Sequence, residues 1–226
     1  MHNSIKCIAI VVFLVTLCSC GSSGIRIRQN EKEYETGNCF ISVNVPVIDG
    51  LSDEVFQAEL NDEYEYIINE KLNSFIATAS ELIDEKNSIS ITHSVEYNKN
   101  NLLSILSKCK EKSEATQEKE SIICKNIDIS ENKEIKLSDV FQDERYIELL
   151  DTKLETLCES EIYSDLWKIP KITDEQENCF YFSDDGLVVY FPPYELSYYN
   201  RGYIEFVIEY GELYGYLKPQ YNVLLQ

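Results

Sequence analysis

The amino-acid sequence predicts an α+β fold, in which a mainly antiparallel sheet packs with one long N-terminal helix and a second amphipathic helix. Two observations lead to this prediction. Apolar residues recur at helical spacing in two segments, whereas several other segments alternate between apolar and polar residues, as strands do. The predicted order β-α-β-β-β-α-β-β-β contains runs of consecutive strands, which favours an α+β sheet over one built from repeated βαβ units.

The first strand and the long helix are predicted between residues 39 and 83. "CFISVNVPVI", residues 39–48, alternates like a strand, and Pro46 places its end at a sheet edge. A turn at Asp49-Gly50 follows, and Ser52 is the predicted N-cap of the helix. The apolar positions that come next recur at steps of one, three and four residues, as on one face of a helix. They are Phe56, Leu60, Tyr64, Ile67, Ile68, Leu72, Phe75, Ile76, Ala79 and Ile83.

Three strands and the second helix are predicted in the middle of the chain. The strands are "SISITHSVEY", "NLLSILSKC" and "ESIICKNIDI", at residues 88–97, 101–109 and 120–129. "KLSDVF", residues 136–141, leads into the second helix. Its apolar stripe comprises Tyr146, Leu149, Leu150, Leu154, Leu157 and Cys158.

The stretch "FYFSDDGLVVYFPPYELSYYNRG", residues 180–202, is rich in Phe and Tyr and contains no Lys and no His. Its first half predicts a hairpin that turns at Asp184-Asp185-Gly186, because Gly supplies the positive φ that such turns need. Alternation along the two strands places Phe180, Phe182 and Phe191 in the core. A last strand is predicted in "YIEFVIEY", residues 203–210.

The second half of this stretch, "PPYELSYYNRG", is predicted to be an exposed connection. Its two prolines end the strand, because proline cannot donate to a ladder. Tyrosines on a loop combine apolar area with a polar tip, which is the composition of recognition surfaces and of sugar-stacking platforms. We therefore predict a partner-binding site at Tyr194, Glu195, Tyr198 and Tyr199. The alternative for Tyr194 is that its ring seals the sheet edge.

The N-terminus predicts export and a lipid anchor. The apolar run from Cys7 to Leu17 covers about 17 Å as a helix, which is too short for a membrane span. Residues 1–19 are therefore predicted to be a lipoprotein signal peptide, with Leu17 and Ser19 preceding an acylated Cys20 and residues 20–37 forming a flexible tether. This predicts a lipid-anchored protein on the extracytoplasmic side of a bacterial membrane. The alternative is ordinary cleavage near Ser19, which leaves Cys20 unmodified.

Five cysteines follow Cys20, and none has the spacing of metal ligands. Cys109 and Cys124 flank the polar loop "EKSEATQEKE", so that a disulfide across a hairpin is one prediction. The alternative is that all five thiols are reduced. We predict no metal and no cofactor.

The formal net charge of −20 at pH 7 comes from 40 Asp and Glu against 20 Lys and Arg. Such a charge repels nucleic acid and favours cationic partners. Nucleic-acid binding is therefore excluded, and a cationic protein partner is favoured. The alternative is that the charge only supports solubility.

Several motifs resemble the extracytoplasmic domain of unknown function of the RsiV/PdaC type. The matching features are the "DDGLVVYF" hairpin, Tyr194-Glu195, Gly202 and the "ELYGYL" tail, with "KNIDI" and "IKLSDVF" upstream. "PVIDGLSD" resembles the companion N-terminal module. The resemblance implies a PdaC-like module at residues 38–117 and an RsiV-like module at residues 118–226, together forming one compact unit. Because RsiV is a lysozyme-sensing anti-sigma factor and PdaC a peptidoglycan deacetylase, it also implies peptidoglycan or a lysozyme-like protein as partner.

Two sites depart from the family pattern. "SEAT", residues 113–116, stands where the family commonly has a Gly-Gly-Ala-His-like turn. Tyr198-Tyr199-Asn200 stands where the family often has Pro-Tyr-Ala.

Catalysis is not predicted. His93 is the single histidine after the signal peptide, which leaves no deacetylase metal site and no multi-histidine zinc site. The sequence therefore predicts a non-catalytic envelope lipoprotein that binds a cell-wall glycan or a cationic protein such as a lysozyme-like enzyme. The alternatives are a hydrolase that uses carboxylates such as Glu195, and a structural envelope protein without a ligand.

Overall fold

The computed structural model describes residues 24–82, 85–114, 118–198 and 201–226, which form two compact units. Unit one contains the described residues of 24–93 and 107–122, and unit two contains those of 94–106 and 123–226. Three long strands contribute residues to both units. They are β3 (Asn87–Lys99), β4 (Leu102–Ser113) and β5 (Lys119–Asp128). The modules predicted at residues 38–117 and 118–226 stay a prediction.

Unit one begins with a hairpin that was not predicted from the sequence. Strand β1 (Arg26–Thr36) pairs antiparallel with β2 (Cys39–Asp49) along its whole length. The prediction of a flexible tether over residues 20–37 is thus wrong from Arg26 onward, and residues 20–23 lie outside the described part. Ile25 and Ile27 are buried, and Gly37 turns the hairpin with a φ of +60°. The exposed positions of β1 carry many charged residues, so its sequence resembles a polar linker.

Helix α1 (Glu54–Glu81) crosses from β2 to β3, and these two strands pair in parallel from Cys39↔Asn87 to Val43↔Ile91. A helix of this length returns the chain to the end of the sheet where β2 began, so that β3 runs in the same direction as β2. The remaining strand pairs with known register are antiparallel. The α+β class with a mainly antiparallel sheet is confirmed, with this one parallel pair as an addition.

The N-cap of α1 is Asp53 instead of the predicted Ser52. The Asp53 carboxylate accepts hydrogen bonds from the backbone N–H groups of Val55 and Phe56, each at 3.0 Å. The buried stripe confirms the predicted helical face and consists of Leu60, Tyr64, Ile68, Leu72, Phe75 and Ala79. Much of this stripe packs with the buried side chains Ile41, Val43, Ile89, Ile91 and Cys109. Ile83 lies outside the described residues.

Helix α1 does not carry an apolar span. Among the described residues, no helix is both long enough and apolar enough to cross a membrane.

Unit two combines helices with a three-stranded antiparallel sheet in the order β7-β8-β9. Its elements are β6 (Lys133–Glu134), α2 (Leu137–Val140), α3 (Arg145–Leu157), β7 (Phe180–Phe182), β8 (Leu187–Phe191) and β9 (Ile204–Ile208). Four 3-10 helices complete it, at Glu161–Tyr163, Asp174–Asn178, Tyr210–Leu213 and Pro219–Leu225. Tyr146, Leu150 and Leu154 of α3 are buried, as the predicted stripe requires.

The predicted hairpin around Gly186 is present, and its geometry explains the motif. Phe180, Phe182 and Phe191 are fully buried in the core of unit two. Gly186 has a φ of +155°, and a Cβ at this position would lie 2.3 Å from the carbonyl oxygen of Ile208. Any other residue would push β8 away from the chain that follows β9, so the turn requires glycine.

Two polar residues of the "KNIDI" motif are structural. The Asn126 amide donates to the Phe180 carbonyl at 2.7 Å and accepts from the Ser104 hydroxyl at 2.6 Å. The Asp128 carboxylate accepts from the Tyr221 hydroxyl at 3.1 Å and from the backbone of the following turn. Both side chains are buried and hydrogen-bonded: Asn126 joins neighbouring strands, whereas Asp128 joins the end of β5 to the C-terminal 3-10 helix and to the turn that follows β5.

The five described cysteines are all free thiols. Cys109 lies in the core of unit one, where its thiol interacts with the Ser121 hydroxyl. Cys124 donates instead to the Phe180 carbonyl at 3.1 Å, inside unit two. The structure therefore does not contain the predicted Cys109–Cys124 disulfide, because each thiol has another partner.

Candidate functional site: an exposed aromatic platform

The loop that follows β8 begins with a strained turn. The backbone N–H of Glu195 donates to the Pro192 carbonyl at 3.2 Å, which closes a four-residue turn. Tyr194, its third residue, has a φ of +67°, a left-handed conformation that favours glycine. An aromatic residue in this conformation costs about 1–3 kcal/mol of strain. Burial of the ring does not offset this strain fully, because Tyr194 is 52% exposed.

The next residues anchor the loop and present Tyr198. Leu196 and Ser197 are buried, whereas the adjacent Tyr198 is 76% exposed. The Leu196 carbonyl accepts a hydrogen bond at 2.9 Å from the backbone N–H of Trp167, which holds the segment around residue 167 against this loop. Tyr198 therefore stands on a fixed base with its ring in solvent.

Trp167 and Tyr198 stack on each other. Their ring centroids are 5.6 Å apart and their planes differ by 29°. Trp167 is 47% exposed, so both rings keep accessible surface although they support each other. We call this pair the aromatic platform.

One ion pair borders the Trp167 ring, and a second joins the two segments that carry the platform. The Lys168 amine is 5.4 Å from the centroid of the Trp167 ring and 3.5 Å from the Glu195 carboxylate. The Arg201 guanidinium pairs with Asp165 and also donates to the Ile162 carbonyl at 3.0 Å. Each of these two cations thus faces a carboxylate, in a chain whose net charge is −20.

Exposed apolar side chains concentrate in this region. The structure describes eleven large apolar residues as exposed, and five of them belong to the two segments that meet here. These five are Ile162, Trp167, Ile169, Tyr194 and Tyr198. Single exposed apolar residues are normal on a surface, but such a concentration indicates an interaction site.

The predicted site residues fall into two groups, and two further residues were not predicted. Tyr194 and Tyr198 lie in the exposed loop as predicted, and Glu195 is 3.5 Å from Lys168. Tyr199 and the lipid acceptor Cys20 lie outside the described residues. Trp167 and Lys168 were missed, although Trp167 is the single tryptophan of the chain and stands in the short connecting segment "LWKIP".

Two further features bear on catalysis, His93 and an acidic groove beside α3. Among the described residues, no group of three or more His, Cys, Asp or Glu side chains is arranged to hold a metal ion. His93 lies in β3, and burial lowers its pKa. A groove of about 600 Å³ runs beside α3 and is lined by Glu144, Glu148, Asp151 and Glu155, with Lys171 and Asp151 as an ion pair.

A family model described as "Protein of unknown function (DUF3298)" matches residues 53–211, which is more than half of the chain. The chain belongs to the DUF3298 family. The match includes α1, the "DDGLVVYF" hairpin and the whole aromatic platform.

The resemblance to RsiV is also confirmed. The anti-sigma-V factor RsiV of Bacillus subtilis is 27% identical over 195 residues, which is 80% of this chain. The alignment spans 66% of the length of RsiV, so this DUF3298 protein matches only part of its relative.

Two solved structures of DUF3298 proteins share the fold. One, from Bacteroides fragilis, has a TM-score of 0.63 at 17% identity and covers 90% of this chain and 96% of its own. The other, from Pseudomonas aeruginosa, has a TM-score of 0.62 at 14% identity and covers 87% and 95%. At this identity the likeness concerns the fold alone.

Proposed function

We propose that this DUF3298 protein is a non-catalytic, extracytoplasmic recognition module, lipid-anchored at Cys20, that binds a cell-envelope partner through its aromatic platform. The observation that carries the proposal is Tyr198, which is 76% exposed although its neighbour Ser197 is buried and its ring stacks on Trp167. A ring that is held in place before binding loses little entropy when a partner packs on it. Exposed Trp and Tyr rings of this kind dominate the energy of many interfaces.

A cationic protein such as a lysozyme-like enzyme is one partner. The net charge of −20 supports it, because an acidic surface accelerates encounter with a basic protein. The similarity to the anti-sigma-V factor RsiV also supports a protein partner.

A cell-wall glycan is the second candidate partner. It is favoured by the composition of the platform itself, two stacked aromatic rings bordered by the Lys168–Glu195 ion pair. Aromatic rings and planar polar side chains are the usual elements of small-ligand sites with an apolar face.

The binding experiment compares the wild type with Trp167→Ala and Tyr198→Ala on immobilised peptidoglycan and on immobilised lysozyme, at low and high salt. We expect both variants to lose most of the binding to the true partner. Tyr214→Ala is the matched control, because Tyr214 is 77% exposed in a different segment and should bind like the wild type. Undiminished binding by both platform variants would contradict the proposal.

The anchor is tested separately. Cys20→Ala should release the protein from membranes or leave it as an uncleaved precursor, because acylation and cleavage both need the thiol. Mass spectrometry of the membrane fraction provides the readout. A wild-type protein of normal mature mass without lipid would contradict the lipoprotein proposal.

A further inference from the structure

The proposed recognition module leaves open which partner contacts the rings themselves. We infer that the aromatic platform of Trp167 and Tyr198 binds the apolar face of an uncharged pyranose ring in a glycan chain. This inference rests on the proposed function and assigns the ligand class of the same site. A cationic protein, in this account, does not occupy the platform.

The shape and the exposure of the platform suit the apolar face of a sugar ring. A pyranose ring presents C–H groups on one face, which pack on an aromatic ring as another apolar surface would. Trp167 and Tyr198 are nearly parallel, at 29°, and Tyr198 is 76% exposed. Stacking on such a platform tolerates different sugars, as base stacking tolerates different bases.

The charge beside the rings disfavours a cationic ligand. A cationic side chain that approached Trp167 would meet the Lys168 amine, which is already 5.4 Å from the ring centroid. An uncharged ligand meets no such repulsion, and a ligand with one strong charge would have to compete with the Lys168–Glu195 ion pair.

The groups beside the platform can form hydrogen bonds with the hydroxyls of a sugar. Sugar hydroxyls need both donors and acceptors, and the surroundings of the platform contain both. Lys168 donates only, whereas Glu195 accepts only. Their ion pair therefore holds a donor and an acceptor in place for a neutral polar ligand at little cost in side-chain entropy.

Tyr194 supports the inference independently. Its left-handed φ of +67° is a strained conformation that glycine would adopt without cost. A strained, half-exposed aromatic residue thus lies in the same loop, one position before Glu195 and four before Tyr198, and such strain is typical of functional sites.

Trp167 makes the test direct, because it is the single tryptophan and its fluorescence reports on the platform alone. The probe is the tetramer of N-acetylglucosamine, an uncharged model of a cell-wall glycan chain, titrated into the mature protein. Affinity is measured by calorimetry and location by tryptophan emission, at about 50 mM and about 500 mM salt. The variants are Tyr198→Ala and the control Tyr214→Ala.

We expect saturable binding with a change in Trp167 emission, and an affinity that differs less than about twofold between the two salt concentrations. Tyr198→Ala should weaken the affinity by about tenfold or more, whereas Tyr214→Ala should stay within about twofold of the wild type. Both results together support a saccharide on the platform.

Three other outcomes overturn the inference and differ in what they say of the proposed function. If the tetramer does not bind but Tyr198→Ala abolishes binding of lysozyme, the platform is a protein-binding site and the proposed function stands. If the tetramer binds equally well to Tyr198→Ala, the saccharide site lies elsewhere. If neither ligand binds to the wild type, the inference and the proposed partners fail together.

Discussion

The stretch from Phe180 to Gly202 contains two sets of aromatic residues with opposite environments. Phe180, Phe182 and Phe191 are fully buried in the core of unit two, whereas Tyr194 and Tyr198 are 52% and 76% exposed. The two sets are adjacent in sequence and similar in size. Composition alone therefore does not tell a core ring from a binding ring.

The difference arises from the backbone that carries each set. The strand rings lie on β7 and β8, whose antiparallel register pairs Phe180 with Val189, and every residue of these two strands is buried on either face. Pro192 and Pro193 then end the ladder, and the loop is fixed by a turn and by the Leu196–Trp167 backbone hydrogen bond. A ring on a loop that is fixed in this way stays in solvent, so its exposed surface contributes little to the free energy of folding.

The largest effect is expected for the strand rings. Phe182→Ala and Phe191→Ala should each lower the free energy of unfolding by about 3–5 kcal/mol, because each leaves a cavity in the core. Chemical denaturation followed by circular dichroism provides the measurement. A loss of under about 1 kcal/mol for either variant would show that the strand rings and the loop rings do not differ as claimed.

A second prediction concerns buried tyrosines of unit two at alkaline pH. Burial and the neighbouring Glu177 carboxylate raise the pKa of Tyr146 to about 12. In the unfolded chain the tyrosine pKa is about 10. The folded state therefore holds the proton more tightly, and the stability from this group is complete below pH 10 and lost as the pH rises from about 10 to about 12. Burial also raises the pKa of Tyr181, Tyr190, Tyr210 and Tyr221.

Denaturation midpoints at about pH 8, 10 and 11.5 test this prediction. Tyr146→Phe removes the titrating hydroxyl and should flatten the fall in stability between the two higher values. A midpoint at the highest pH equal to that at pH 8 would contradict the buried state of these rings.

The smallest effect on stability is expected at Tyr194. Tyr194→Gly removes the strain of a left-handed aromatic residue, so the free energy of unfolding should stay within about 1 kcal/mol of the wild type or rise. Binding of the partner should nonetheless weaken, because the exposed ring is lost. A variant that unfolds as readily as Phe191→Ala would place Tyr194 with the core rings and support the edge-seal alternative.

The sequence predicted the elements whose periodicity is strong. The face of α1, the stripe of α3 and the Gly186 hairpin are all present, because alternation and helical spacing follow directly from burial on one face. Strand β1 was missed because its charged residues resemble a polar linker, and its pairing depends on β2 rather than on its own composition. The parallel pairing of β2 with β3 depends on where α1 returns the chain, which no local pattern records.

The site was predicted only in part for the same reason. Tyr194, Glu195 and Tyr198 are contiguous with the prolines that expose them, so a local pattern was enough to find the loop. Trp167 lies in a distant segment and reaches Tyr198 only through the fold. Its single occurrence in the chain was a signal, but nothing in the sequence connected it to the tyrosine loop.

The most direct test of the aromatic platform measures stability and binding on the same sample of Tyr198→Ala. The free energy of unfolding should change by less than about 1 kcal/mol, because the ring is 76% exposed. The affinity for peptidoglycan or for a lysozyme-like protein should fall by about 2 kcal/mol or more, because the ring is an anchor of the interface. A loss of stability as large as that of Phe182→Ala, or an unchanged affinity for both partners, would contradict the account.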